Sequence, residues 1–282
     1  MSGFIEVADR VWVARYPWWD ANVTVVAGSA GLVVVDTHAS TAAGRAVVAD
    51  VRRLGAGEVT AVVNTHWHFD HTFGNAAFRE AFPGVPIHAT EEAQRNLVEW
   101  GEEARARRAD DEPDRREELL ATELVPPDTT FSSAAALDLG DRLVELAFPG
   151  RGHTAGDLVV RVPDADVVLA GDLVEESGPP WFNTDAWPLE WPATVDVVAG
   201  LLTGNTVVVP GHGVPVDRDF VISQGLDLAR VSRTIQELAA AGVPADRALA
   251  EGEWPWPREH LAEAVTCGYA QLPPEAKRLP LA

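Results

Sequence analysis

Cationic side chains are scarce in this 282-residue chain: 22 Lys and Arg stand against 43 Asp and Glu, for a formal net charge of −21. Proteins that hold nucleic acid neutralise phosphates with Lys and Arg, so this surface repels a polyanion and no nucleic-acid partner is expected. Lysine is almost missing: Lys277 is the one example, which with the abundant alanine reads as a compositional habit of the source genome. Cysteine is equally rare. Cys267 alone excludes an intramolecular disulfide. No apolar run reaches the ~20 residues that span a bilayer, so no membrane partner is expected. The opening "MSGFIEVADRVWVARYPWW" lacks the basic start and unbroken apolar core of a secretory signal. The expected setting is the cytoplasm.

What is present is enough apolar sequence, 46% of residues, for one large domain with a real core. The first 60 residues read as strands: "RVWVARY", "ANVTVVAG" and "GLVVVDT" are rich in β-branched and aromatic residues, with a hairpin turn expected at "SAG", 29–31. Residues 41–55 have helical spacing and end on glycine. A strand at 59–65, a short helix at 75–82 and a strand at 86–90 follow. Residues 91–125 are charged and helical, interrupted at Pro113, and read as a pair of helices inserted into a sheet domain. Strands return between 137 and 171. A Trp- and Pro-rich loop, "PPWFNTDAWPLEWP" (179–192), leads to a helix, the strand "TVVVPG", and a mostly helical tail. This order suits an α/β (α+β) architecture of packed sheets with helices outside. The expected division is a catalytic domain over 1–218 and a helical C-terminal extension over 219–282.

Metal-type residues fall at particular points on that map. The stretch "NTHWHFDH" puts His66, His68, Asp70 and His71 within six positions of a chain with only 8 histidines. It follows a strand. So do His153 in "FPGRGHTAGD", Asp172 in "VVLAGD" and His212 in "VVVPGHG". Sheet enzymes place their sites at the carboxyl ends of strands, where loops converge. In extended chain His66, His68 and Asp70 share one side, and two imidazoles two residues apart can chelate one ion. Asp70 and His71 are displaced enough to serve a second. Imidazole nitrogen and carboxylate oxygen suit zinc, iron or manganese. A lone strand-end histidine is usually structural, but so much ionisable material in one pocket without a cation would be costly.

"HWHFDH", followed in order by "GHTAGD", "AGD" and "PGHG", resembles the signature and remaining ligand motifs of the metallo-β-lactamase-fold superfamily. The resemblance covers roughly residues 5–215. It implies a four-layer αββα sandwich with a metal site at one edge. It also implies that His66, His68 and His153 hold one metal, that Asp70, His71 and His212 hold a second, and that Asp172 bridges them. This is the full dinuclear set of the glyoxalase II and lactonase branches, with two Zn2+ per chain expected and iron or manganese as substitutes. The zinc β-lactamases usually lack the bridging aspartate, which argues against β-lactams as the native substrate. Asp36 is a candidate for orienting a ligand histidine. His38, His88 and His260 match no ligand motif.

The resemblance implies a hydrolase that uses a metal-bridged hydroxide on a small ester, thioester or lactone, with Asp70 and Asp172 as catalytic carboxylates. Trp18 and Trp19 in one loop, and Trp181 and Trp187 in another, are candidates for an aromatic substrate mouth. A mononuclear iron oxidoreductase of the same fold, like a persulfide dioxygenase, is the alternative. A nuclease fits the charge poorly, and a metal-binding protein without catalysis fits an intact ligand set poorly.

Overall fold

Alternation of β-branched residues decides the architecture. In the strand Gly31–Val35 (β4), Val33 and Val35 enter one apolar cluster while Leu32 and Val34 enter another. Side chains alternate across a strand, so β4 must be covered on both faces. The same holds across two half-sheets. The computed structural model describes residues 3–273.

The first half-sheet joins Ile5–Ala8 (β1), Val11–Tyr16 (β2), Ala21–Gly28 (β3), β4, Val59–Val63 (β5), Ile87–Thr90 (β6) and Thr129–Phe131 (β7). The second joins Ala134–Asp138 (β8), Leu143–Ala147 (β9), Val159–Val162 (β10), Val167–Glu175 (β11) and Val207–His212 (β12). The halves meet along an edge where β3 pairs with β12 through Ala21 and His212. Between them lies a valine- and leucine-rich layer fed by β2, β3, β4, β5 and by β9 to β12. Helices cover the outer faces. Thr41–Leu54 (α1) and Asn75–Ala81 (α3) pack on the first half. Trp191–Gly200 (α6), Arg218–Ala240 (α7), Ala245–Glu251 (α8) and Ala262–Gln271 (α9) pack on the second. This is the four-layer αββα sandwich. The tail helices are part of it: Val231, Ile235 and Ala264 share a core cluster with Val168 of β11 and Trp191 of α6.

Local chemistry sets the boundaries. α1 starts where Ser40 Oγ accepts from Ala43 N and stops at Gly55, whose φ of 65° is left-handed. Phe69–Thr72 (α2) is one turn, joined to α3 through Gly74. A Cβ on Gly74 would sit 1.8 Å from the Thr37 carbonyl oxygen, so only glycine lets this connection lie against the β4 end. The insertion forms a long helix, Glu91–Asp111 (α4), and a short one, Arg116–Leu120 (α5), with a 3₁₀ turn at 113–115 between them where Pro113 interrupts.

Two strands run further than their sequence suggests. β11 does not stop before Asp172 but continues to Glu175, and β12 includes His212. Gly171, at φ 53°, marks a register slip against β12, so β11 bulges and resumes. No helix among the described residues is long and apolar enough to cross a membrane.

Candidate metal centre

The connection from β5 to α3, which contains the single turn α2, is held by side-chain amides and hydroxyls. Asn64 and Asn75 side chains pair head to tail (2.8 and 3.1 Å), and Asn64 Nδ2 also donates to the His71 carbonyl. Thr37 Oγ1 donates to the same carbonyl and to Asn75. Thr72 Oγ1 donates back to the Trp67 and His68 carbonyls. This buried polar lattice has its partners satisfied, so it fixes a single conformation for the four candidate ligands it carries.

All seven predicted residues converge. Ligand atoms of His66, His68, His153 and Asp172 lie within 4.8 Å of one another, as do those of Asp70, His71 and His212. Asp172 stands between the groups: its carboxylate oxygens lie 3.3 Å from His153 Nε2, 3.7 Å from His66 Nε2, 3.2 Å from His71 Nε2 and 3.2 Å from His212 Nε2. His71 Nε2 and His212 Nε2 are 3.3 Å apart, and His212 Nε2 is 3.3 Å from Asp70 Oδ2. Ligand bonds of about 2.0–2.1 Å in tetrahedral geometry put neighbouring donor atoms roughly 3.4 Å apart, so these spacings fit a shared cation. The His66 Nε2 atom, fully buried, has no hydrogen-bond partner among the described residues.

Each histidine is oriented from its far nitrogen. His71 Nδ1 donates to Asp36 Oδ2 at 2.8 Å, and Asp36 also accepts from Thr65 N and Thr65 Oγ1. His66 Nδ1 lies 3.1 Å from Thr65 Oγ1. His153 Nδ1 donates to the Trp181 carbonyl (2.9 Å) and His212 Nδ1 to the Trp19 carbonyl (2.6 Å). His68 is reversed: Nε2 faces Asp185 at 3.1 Å, leaving Nδ1 to the cluster, 2.7 Å from His153 Nε2. Such partners fix the tautomer that leaves a lone pair for a metal.

Burial and charge act against each other here. Burial pushes His66 well below its ordinary range and His153 down to about 4. His71 is equally buried, but Asp172, Asp36 and Asp70 outweigh that and hold it well above. For His212 burial is outweighed by Asp172 and Asp70, raising it to about 10. Asp172 is buried too, yet His212 and His71 hold it far below the carboxylate range.

Several residues at the site carry no sequence signal of their own. Asp185 accepts from Trp67 Nε1 at 2.7 Å as well as facing His68. Despite burial, His68 holds it near 2. Its loop rests on α9, where Gln271 Nε2 donates to the Ala186 carbonyl and the buried Cys267 thiol to the Thr184 carbonyl. Glu175, three residues beyond Asp172 on β11, groups with Asp172 and His212. Asp157, within the quoted "GHTAGD", caps its turn by accepting from Thr154 N and Oγ1.

Above the cluster lies a cavity of about 650 Å³. Trp19 and Trp181 line it, together with Trp67, Phe69 and, from α4, Trp100 and Arg107. Trp18 and Trp187, expected at the mouth, are elsewhere. Trp18 is drawn under the 3₁₀ turn at 113–115, with the Arg115 guanidinium 4.0 Å from its ring and its Nε1 donating to Glu112. Trp187 lies beneath Arg151 at 3.7 Å, beside a separate depression of about 400 Å³. In both cases an arginine stack outcompetes exposure to the cavity. His260 reaches the cavity wall, while His38 packs on Tyr16 and Trp18.

A sequence model described as the metallo-beta-lactamase superfamily matches residues 16–224, and the chain belongs to that superfamily. It is an enzyme of that family with a His/Asp metal-binding cluster. It is 27% identical over 216 residues to a type 2 metallo-beta-lactamase of Bacillus cereus, covering 74% of this chain and 73% of that enzyme. It is 26% identical over 232 residues to a linear primary-alkylsulfatase of Pseudomonas sp. (strain ATCC 19151), covering 71% of this chain and 43% of that protein. Among solved structures, a metallo-beta-lactamase from Pontibacter korlensis superposes with a TM-score of 0.65 at 23% identity, over 80% of this chain and all of the other. The FIM-1 metallo-beta-lactamase from Pseudomonas aeruginosa, in its mono-zinc form, gives 0.63 at 20% identity, over 82% and 96%.

Proposed function

We propose that the chain is a dinuclear metal-dependent hydrolase of small esters, thioesters or lactones, of the glyoxalase II and lactonase type, with zinc as its metal. One observation carries this reading: Asp172 stands within 3.7 Å of four imidazole nitrogens drawn from both groups of ligands, at the floor of an aromatic-walled cavity. His66, His68 and His153 would hold one cation, Asp70, His71 and His212 the other, and Asp172 both. Bound there, two cations supply a nucleophile from water near neutral pH and polarise the scissile carbonyl.

The chain's own residues do the rest. Asp36, Asp185 and the carbonyls of Trp19 and Trp181 keep five imidazoles in register through their far nitrogens, directly or through Thr65. Asp70, buried beside His212, would hold the proton of an attacking water. Trp19, Trp67, Phe69 and Trp181 exclude water and pack the apolar part of a substrate. The relatives' names denote enzymes of two different substrates, a β-lactam and a primary alkyl sulfate, so hydrolysis is the common element and the substrate must come from this cavity. An aspartate at position 172 favours esters over β-lactams.

The test is metal content by plasma mass spectrometry on protein purified without a metal-affinity tag, followed by an ester, thioester and lactone screen. About two zinc ions per chain, with hydrolysis that chelation abolishes and zinc restores, is the expected result. About one iron per chain with oxygen uptake on persulfides would replace the hydrolase with the oxidoreductase.

A further inference from the structure

We propose that Glu112, at the far end of the inserted helix, is a positioning residue for the His212 side of the metal centre, acting through the main chain of Trp19. The inference rests on the two-metal reading above. Glu112 follows α4 directly, in a charged run with no motif. Its two carboxylate oxygens accept separately from neighbouring indoles: Trp18 Nε1 donates to Oε2 and Trp19 Nε1 to Oε1, each at 2.7 Å. Bonds to an ionised acceptor are short and strong, and two of them to adjacent residues fix the peptide between those residues.

The chain that leaves it, through the Trp19–Asp20 peptide, is held in an uncommon shape. Trp19 and Asp20 have φ of 61° and 56°, in the left-handed region that residues other than glycine seldom enter. Consecutive residues stay there only when the surroundings over-determine them. The surroundings do: Glu112 holds both indoles, the Arg108 guanidinium lies 5.1 Å from the Trp19 ring, and Arg15 pairs with Asp20. The outcome is a single carbonyl, that of Trp19, aimed at His212 Nδ1 at 2.6 Å. Two residues further on, Ala21 pairs with His212, where the two half-sheets join. His212 therefore takes its tautomer, and the direction of its Nε2 lone pair towards Asp70 and Asp172, from a loop that α4 clamps. The same α4 presents Trp100, Ala104 and Arg107 to the cavity. The helix that walls the cavity thus also braces one of the two groups of metal ligands.

The experiment titrates the full-length metal-free protein with Zn2+ against a chromogenic chelator, which resolves two stepwise affinities without any turnover. Glu112→Gln keeps one acceptor oxygen and replaces the other with an amide NH2, which donates and cannot accept. One affinity should fall about tenfold, the low end of what removing an outer partner of a metal ligand costs, while the other stays unchanged. His212→Ala should weaken the same step, and Glu112→Gln should add little on that background. Glu99→Gln, an exposed change on the same helix, should alter neither affinity. Two unchanged affinities in Glu112→Gln overturn the inference alone. So does an equal fall in both, with a lower melting temperature of the metal-free protein, because that marks a general structural role. A wild-type chain that takes up a single equivalent overturns the two-metal reading and this inference together, and is seen before any variant is made.

Discussion

Gly211→Ala should disable the metal centre without replacing a ligand. Gly211 sits in β12 between Pro210 and His212, and an added Cβ would lie 1.8 Å from Asp172 Oδ1 and 3.0 Å from its Cγ. Real side-chain contacts need at least about 3 Å, so the carboxylate must retreat by more than an ångström or the strand must. The strand is the stiffer partner: Val208 and Val209 are buried, and β12 pairs in parallel with β11 through this stretch. The carboxylate therefore rotates away from the imidazoles it serves. A displacement of about 1 Å in a reacting constellation costs on the order of 100-fold, or about 2.7 kcal/mol of transition-state stabilisation. The measurement is kcat/KM for the best ester found, with zinc content and the melting temperature of the metal-free protein alongside. The expected result is that activity and at least one zinc are lost while the fold persists. A variant with two zinc ions and full turnover would refute the bridging role of Asp172, and Asp172→Ala should then also be active.

Asp36→Asn keeps a residue that tolerates the local φ of 64° but sets an amide NH2 against donors from Thr65 and His71, so zinc affinity should fall about 10–100-fold; an unchanged chelator competition would reject its orienting role. Trp181→Ala should raise KM for apolar esters with little change in melting temperature, because the ring lines the cavity with 47% of its surface exposed. Trp187→Ala should leave kinetics alone and lower stability by about 1–3 kcal/mol, since it removes the Arg151 stack outside the cavity; a shift in substrate preference would contradict that placement. Zinc uptake at pH 7 should release protons, chiefly from His71 and His212, read as the dependence of binding heat on buffer ionisation enthalpy. Both histidines are raised above 6.5 in the metal-free fold, so their contribution to its stability is present below pH 6.5 and is lost as pH rises, for His212 through about 10. Zinc affinity moves the other way, rising with pH until those protons are gone.

Periodicity and turn chemistry make most of the sandwich readable in the sequence alone. The helix at 41–54 announces its end with Gly55, and the interruption of the insertion falls at Pro113. Strand ends were harder. "AGD" looks like a turn, but Gly171 makes a bulge and β11 resumes to Glu175, because pairing with β12 continues after the slip. The short edge strands β1 and β7 have too few residues to show a period. Within the site, residues on spaced motifs were legible. Asp185 and Glu112 were not, since an aspartate in an irregular loop and a glutamate in a charged run look like solvated surface. What makes each important is a partner more than 90 positions away in sequence, Trp67 for one and Trp19 for the other.

The same two loops that wall the cavity also steady the metal ligands, and they do so with main-chain atoms. The Trp19 carbonyl holds His212 and the Trp181 carbonyl holds His153, while the indoles of both residues face the cavity. A carbonyl is present whatever the side chain, so the identity of residues 19 and 181 can change without deleting the hydrogen bond that sets each tautomer. Substrate preference and metal geometry are thereby separated at the level of atoms within one residue. That separation is one physical route by which a single αββα scaffold hosts enzymes of different substrates. It also says where the separation fails. At Trp19 the indole is itself anchored to Glu112, so a change there alters the loop backbone as well as the cavity wall. Trp181 has no such anchor to α4: its Nε1 donates to Asn183, within its own loop. Substitutions at 181 should therefore move specificity alone, whereas those at 19 should move specificity and zinc affinity together.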